Sequence, residues 1–308
     1  MPTHVVIGAG PIGSGVARLL ADSGDRVRVV TRGGGGPDHP SVERVAADAT
    51  DAARLTELTT DATTLFNCAA PPYNRWPEEF PPLSDAAISA AERTGARYVL
   101  MGNLYGYGPV DGPLTEDLPL APTSRKGQVR VRMWEDALAA HEAGWLRATE
   151  VRASDFLGRG AGSLYNLMIT ANILAGEPAA YPADLDAPHA WTHVGDAAAT
   201  LVAAARTDEA FGRAWHAPST SHASARELTA RLAGLTGSPA PRLREMTDEE
   251  VAQAGLADPI VAELPEILYL DRRPLVVNAE AAERVLGVKP TPFDQALLEM
   301  AEGHRASA

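Results

Sequence analysis

The chain has 308 residues, 45% of them hydrophobic, one cysteine and a formal net charge of −13. That size and composition predict a globular protein with a substantial core, either one large α/β domain or one and a half. The acidic balance excludes nucleic acid and anionic membranes as natural partners, and a lone cysteine cannot form an internal disulfide. No run of about 18 apolar residues occurs, so neither a transmembrane span nor a signal peptide is expected, and a cytoplasmic, metal-free protein is the economical reading.

The first element in the chain is the most informative. His4-Val5-Val6-Ile7 predicts a buried strand that runs straight into Gly8-Ala9-Gly10-Pro11-Ile12-Gly13, with a helical stretch from Ser14 to Ala21 behind it. A Gly-x-Gly-x-x-Gly pattern says little by itself in a chain with 27 glycines. Placed between a strand and a helix, it has the setting of a dinucleotide-binding turn. Gly8 permits the tight turn, Gly10 lets the backbone approach a pyrophosphate, and Gly13 lets the helix pack against the strand. Pro11 and Ile12 open that helix, whose unpaired N–H groups would face the phosphates.

The strand from Arg26 to Arg32 ends about 20 residues beyond the glycines, where an NAD site places an acidic ligand for the ribose. Thr31 and Arg32 stand there, with no carboxylate until Asp38. A guanidinium suits a 2′-phosphate through charge-assisted, bidentate hydrogen bonds. NADP is therefore the expected cofactor, with NAD as the alternative.

Further strands are predicted around Val42–Val45, Thr64–Asn67, Arg97–Met101 and Arg147–Arg152, with helices over Ala52–Leu58, Leu83–Thr94 and Gln128–Ala143 between them. Such alternation predicts an α/β fold: a Rossmann-type, doubly wound parallel sheet with helices on both faces. The second half is mainly helical, over Leu164–Leu174, Asp196–Ala205, Ala225–Leu235, Thr247–Ala254, Ala279–Leu286 and Asp294–His304. The division expected is a dinucleotide-binding core at 1–155 and a smaller, mainly helical substrate-binding part at 156–308, with segments around 190–216 returning to the core. Asp184, Asp186 and His189 superficially suggest a metal site, but Pro182 and Pro188 frame them as a loop, and no metal is expected.

Several segments, in order, resemble the extended short-chain dehydrogenase/reductase family, which includes NAD-dependent sugar-nucleotide epimerases and dehydratases. Ala47-Asp48-Ala49-Thr50-Asp51 is similar to its adenine-contacting turn, and Asn67-Cys68-Ala69-Ala70 to the alanine pair beside the cofactor. Leu104-Tyr105-Gly106, Arg152 to Gly158, Trp191 to Asp196 and Ala282 to Phe293 resemble its later motifs. The resemblance implies that Asp48, Ala49, Ala69 and Ala70 join Gly8, Gly10, Pro11, Ile12, Gly13, Thr31 and Arg32 around the cofactor.

The departure from the family lies in its Tyr-x-x-x-Lys pair, in which the lysine lowers the tyrosine pKa and holds the nicotinamide ribose. None of the seven tyrosines here has a lysine four residues later, and Met101-Gly102-Asn103 replaces the partner serine. In this the chain resembles atypical members such as the NmrA-like and progesterone-5β-reductase-like proteins. Lys126, one of only two lysines, falls near the family's lysine and is the leading catalytic and ribose-binding candidate. Tyr105 and Tyr107 are candidate proton donors, expected to converge with Lys126 on the nicotinamide from a different element. Tyr73, Asn103, Ser154, Asp155 and His193 are the candidate substrate contacts. The first expectation is an NADP-dependent oxidoreductase transferring hydride to or from a small organic carbonyl or enone. The alternatives are a nucleotide-sugar epimerase or dehydratase, or a non-catalytic NmrA-like sensor. A small-molecule substrate is the partner, and a homodimer is allowed.

Overall fold

The structure, a computed structural model, describes residues 1–307. Its first half runs β1 (Thr3–Ile7), α1 (Pro11–Asp22), β2 (Arg26–Thr31), β3 (Val42–Ala46), α2 (Ala52–Thr59), β4 (Thr64–Asn67), α3 (Trp76–Thr94), β5 (Arg97–Asn103), α4 (Arg125–Glu142) and β6 (Ala148–Ala153). There follow β7 (Asp155–Leu157), α5 (Ala171–Ala175), β8 (Ala179–Tyr181), β9 (Trp191–His193), α6 (Val194–Arg206), β10 (Ala214–His216), α7 (Ala225–Thr236), β11 (Leu243–Glu245), α8 (Asp248–Gly255), α9 (Glu280–Leu286) and α10 (Phe293–Ser307). Among the described residues no helix is long and apolar enough to cross a membrane.

Seven parallel strands form the main sheet in the order β3-β2-β1-β4-β5-β6-β10. The fold is thus a Rossmann-type doubly wound sheet. β1 lies inside it, with Val6 level with Val29 on one side and Phe66 on the other. Burial on both faces explains why Val5-Val6-Ile7 is continuously apolar. One face packs on α2, α3 and α4 through Leu55, Phe80, Leu83, Met133 and Trp134. The other packs on α1 and α6, where Val16, Ala17 and Leu20 meet Ala197, Ala198 and Leu201. Residues 194–216 therefore lie against the sheet, with β10 forming its edge beside β6.

The strand order reverses between β1 and β4, which opens a crevice at their carboxyl ends. Facing it is a lobe in which β7 pairs with β9 and β8 with β11, around Tyr165, Tyr181, Trp191, Leu228 and Leu297. A fourth apolar cluster joins Leu104 and Tyr107 to Leu264, Leu268, Leu275 and Val277.

Two local readings change. Helix α3 begins at Trp76 rather than Leu83 and contains Pro81 and Pro82. Proline φ is compatible with a helix. Trp76 and Phe80, one turn apart, pack edge to face with 5.0 Å between centroids and are buried in the core. The packing outweighs the lost backbone hydrogen bonds. The helix predicted at Leu164–Leu174 forms, continuous over 164–175, but winds as a π-helix over Asn166–Thr170 before α5.

β6 carries a buried ion pair, Arg152 donating from Nε to Glu150 at 2.6 Å. Arg152 also donates to the Tyr107 hydroxyl at 2.7 Å, and that hydroxyl lies 2.8 Å from His216 Nε2. His216 Nδ1, 2.9 Å from the Asn278 carbonyl, donates to it, so Nε2 is the acceptor for Tyr107. One network thereby ties β6, β10 and the loop after β5 to the C-terminal part. Glu150→Ala leaves a buried guanidinium without its counter-charge, and urea unfolding should show a loss of about 3–5 kcal/mol.

Candidate functional site

A cleft of about 620 Å³ opens over the crevice. Gly8, Gly10, Pro11, Ile12, Thr31, Arg32, Asp48, Ala49, Ala69 and Ala70 all line it. The three glycines differ in a way that fits a dinucleotide. Gly8 has φ +95°, and a Cβ there would meet the Ala69 backbone at 2.8 Å. A Cβ on Gly13 would meet the Gly8 carbonyl oxygen at 2.2 Å, so Gly13 sits beneath the cleft and sets the approach of α1 to β1. A Cβ on Gly10 would meet nothing within 4 Å. Gly10 therefore presents bare backbone to the cleft, beside the first turn of α1.

At the far end Asp48 accepts hydrogen bonds from the Thr50 N–H at 3.0 Å and hydroxyl at 2.8 Å. These bonds, and more weakly the Arg32 charge, hold its carboxyl below the ordinary range.

Ile12, Cys68, Ala69, Ala70, Pro71, Phe156 and Gly162 also line a second cleft of about 320 Å³, so the two are continuous. Tyr73, Asn103, Tyr105, Ser154 and Asp155 line the second cleft. Asn103 Oδ1 accepts the Tyr105 N–H at 3.2 Å, and the buried Ser154 hydroxyl has no partner. The Tyr73 hydroxyl donates to that of Tyr105 at 3.2 Å. Burial first, then Tyr73 and the charges of Asp155 and Asp271, raise the Tyr105 pKa well above its ordinary value. Both phenols are protonated at neutral pH and serve as hydrogen-bond donors or acceptors, not as bases.

Besides Gly13, which lies beneath the larger cleft, three candidates line neither. Lys126 is fully buried and forms ion pairs with Glu263 and, at 2.6 Å, Glu266, while its ammonium lies 4.6 Å from the Tyr73 ring centre. Tyr107 is committed to Arg152 and His216, and its pKa is raised to about 12, chiefly by burial. His193 joins α6 to α10, with Nε2 2.8 Å from Glu299 and Nδ1 3.2 Å from the Thr291 hydroxyl. Of Lys126, Tyr105 and Tyr107, only Tyr105 reaches the second cleft.

Sequence reasoning missed Arg130. It lies one helical turn after Lys126, so Lys126-x-x-x-Arg130 repeats the spacing of the family's Tyr-x-x-x-Lys with both residue types changed. Arg130 lines the second cleft, donates to the Met101 carbonyl at 3.1 Å, and stacks 4.7 Å from Trp76 and 4.2 Å from Phe80. Burial lowers its pKa to about 10, which leaves it charged at neutral pH, and its Nε has no partner. The i, i+4 spacing was the available signal.

His189 and Asp271 were missed too. Asp184 and Asp186 do form a turn, but His189 leaves it and meets Asp155 with Nε2 at 2.8 Å from the carboxylate. Burial and the charge of Asp155 push the Asp271 carboxyl up to about 7. A carboxyl that binds its proton more tightly when folded stabilises the fold below its ordinary pKa, and the contribution fades as pH rises. The melting temperature of wild type minus that of Asp271→Asn should therefore fall between about pH 4 and about pH 7 and level off above, as thermal melts across pH will show. Gly10→Val should leave the fold intact, because the new side chain projects into open space, and should abolish dinucleotide binding measured by cofactor fluorescence.

A model of the NAD dependent epimerase/dehydratase family matches residues 4–216. Comparison with curated proteins gives no match. The whole chain is similar in fold to MoeE5 in complex with UDP-glucuronic acid and NAD, with TM-score 0.81 and 23% identity over 100% of both chains. It is also similar to the UDP-glucuronic acid 4-epimerase of Bacillus cereus, with TM-score 0.81 and 16% identity over 99% of this chain and 100% of that one. The UDP-glucose 4-epimerase of Thermotoga maritima gives TM-score 0.80 and 17% identity over 99% of each chain. At these identities the structural likeness is one of fold. The family match spans more than half of the sequence and both strands that frame the crevice: this chain belongs to the NAD dependent epimerase/dehydratase family.

Proposed function

We propose that the protein binds a nicotinamide dinucleotide in the larger cleft and modifies a nucleotide-linked sugar whose reacting carbon sits in the smaller one. The observation that carries this reading is the junction of the clefts, where Ile12, Ala69, Ala70 and Phe156 face both. A dinucleotide along the first would end where the second begins. When bound, it supplies a two-electron hydride acceptor or donor. Whole-length likeness in fold to UDP-sugar enzymes favours that substrate class over the carbonyl or enone expected from the sequence.

The chain's own residues have distinct tasks in this reading. Gly8, Gly10, Pro11 and Ile12 hold the pyrophosphate at the start of α1. Thr31, Arg32, Asp48 and Ala49 take the adenosine end, and Ala69 and Ala70 floor the nicotinamide end. The Asn103 amide, the Ser154 hydroxyl and the phenols of Tyr73 and Tyr105 orient sugar hydroxyls. Arg130 offers a buried positive charge to any anionic group, including a carboxylate.

A small carbonyl or enone is the second reading. It is favoured by the basic residues of the second half, which already have partners: Arg159 pairs with Glu302, Arg244 with Glu250, and Arg242 donates to the Gly176 carbonyl. Incubation with UDP-glucose and UDP-glucuronic acid, against a panel of ketones and enones, with each nicotinamide cofactor, separates the two. Conversion of a UDP-sugar, seen by chromatography, is expected. Turnover of an enone alone would replace the first reading with the second.

NADP remains the proposed cofactor. Arg32 is the cation at the expected 2′ position, although MoeE5 and the Bacillus cereus 4-epimerase were solved with NAD. Arg32→Ala should weaken NADPH binding by about 1–3 kcal/mol and leave NADH nearly unchanged. Equal losses in a fluorescence titration would favour NAD.

A further inference from the structure

A carbinol that becomes a carbonyl loses a hydride from carbon and a proton from oxygen. The hydride, with both electrons of the C–H bond, has its acceptor in the oxidised nicotinamide. The proton needs a base that faces the second cleft. Neither protonated phenol serves, Lys126 lies elsewhere against two glutamates, and Arg130 stays charged.

At the start of β7, just beyond the carboxyl end of β6, Asp155 lines the cleft with its side chain partly exposed. Behind it His189 is buried, with Nε2 2.8 Å from the Asp155 carboxylate and its ring 4.6 Å from that of Trp191. Asp271 is buried beside them and accepts from the Tyr181 hydroxyl at 3.3 Å. The three groups offer atoms all within 4.8 Å of one another. We infer that Asp155 is the catalytic residue that exchanges the hydroxyl proton of the substrate, with the buried His189 as its positioning partner and Asp271 packed beside the two. This inference rests on the hydride-transfer reading given above.

The step balances. The substrate O–H bond breaks, an O–H bond forms on the Asp155 carboxylate, and the oxygen electron pair closes the carbonyl as the hydride leaves carbon. Reduction returns the same proton. His189 suits its part: burial disfavours its charged form, but the hydrogen bond and charge of Asp155, the charge of Asp271 and a hydrogen bond to the Leu270 backbone outweigh it and raise its pKa. The groups that act on the cluster from neighbouring elements are Tyr181, Tyr73, Tyr105, His222 and Arg272. Burial and, more weakly, the charge of His189 lower the pKa of His222.

The test has a substrate arm and a substrate-free arm. With UDP-glucose or UDP-glucuronic acid as probe, Asp155→Asn should lower turnover about 100-fold or more while NADPH binding by fluorescence stays close to wild type. His189→Gln should move the acidic limb of the pH profile for oxidation, because it removes the partner that lies 2.8 Å from the Asp155 carboxylate. Wild-type turnover in Asp155→Asn, or an unmoved limb in His189→Gln, overturns the inference. Thermal melts establish that the variants are folded, and Asp155→Ser carries the same comparison should Asp155→Asn not fold.

If wild type converts none of the probes, the functional reading fails, and NMR of isotopically labelled histidines decides the inference by itself. The His189 signal, assigned by its loss in His189→Gln, should titrate above the ordinary value of about 6.5 and drop in Asp155→Asn. An ordinary midpoint unmoved by Asp155→Asn overturns the pairing. So does stoichiometric Zn²⁺ retention that His189→Gln abolishes, which would make the cluster a metal site.

Discussion

Everything at the site depends on how closely α1 approaches β1. The Gly8 carbonyl lies where a side chain at position 13 would begin, so any residue larger than glycine would push the helix away from the strand. Held close, the helix start lies directly over the carboxyl ends of β1 and β4, and its unpaired N–H groups face the crevice rather than solvent. The cleft follows from that contact. Its floor is the Cys68–Ala70 turn, against which Gly8 is itself packed, and its length is set by the reach from Asp48 to Phe156. Burial pushes the Cys68 thiol up to about 12, so the sulfur in this floor is an inert apolar surface.

The second cleft shows how a scaffold can lose its usual proton relay and keep a polar site. Helix α4 keeps the one-turn spacing but presents Lys126 and Arg130, and the two side chains diverge in role. Lys126 turns to the carboxylates of the Val261–Glu266 segment and fixes that segment to the start of the helix. Arg130 turns to the cleft, where Trp76 and Phe80 supply the faces that a desolvated guanidinium needs. Asp155 lines the same cleft, with His189 and Asp271 gathered behind it.

The turn between β1 and α1 was legible in the sequence because its determinants are local. A strand, three glycines and a helix occupy residues 3–22, and their spacing alone dictates the turn. The second cleft was not legible, for a physical reason. Lys126 is defined by glutamates 137 and 140 residues further on, and Asp155 by a histidine 34 residues further on. No periodicity encodes such pairings. The start of α3 was not legible either: the helix begins at Trp76 rather than Leu83, where the buried Trp76 and Phe80 rings pack into the core.

The ion pairs of Lys126 have a chemical corollary. The chain has two lysines, and Lys289 is exposed whereas Lys126 is sealed. In the closed protein, amine-directed acylation has one lysine to attack, beside the N-terminal amine. Lys126 becomes reactive only when Glu263 and Glu266 let go, so its acylation rate clocks the opening of the segment that holds it.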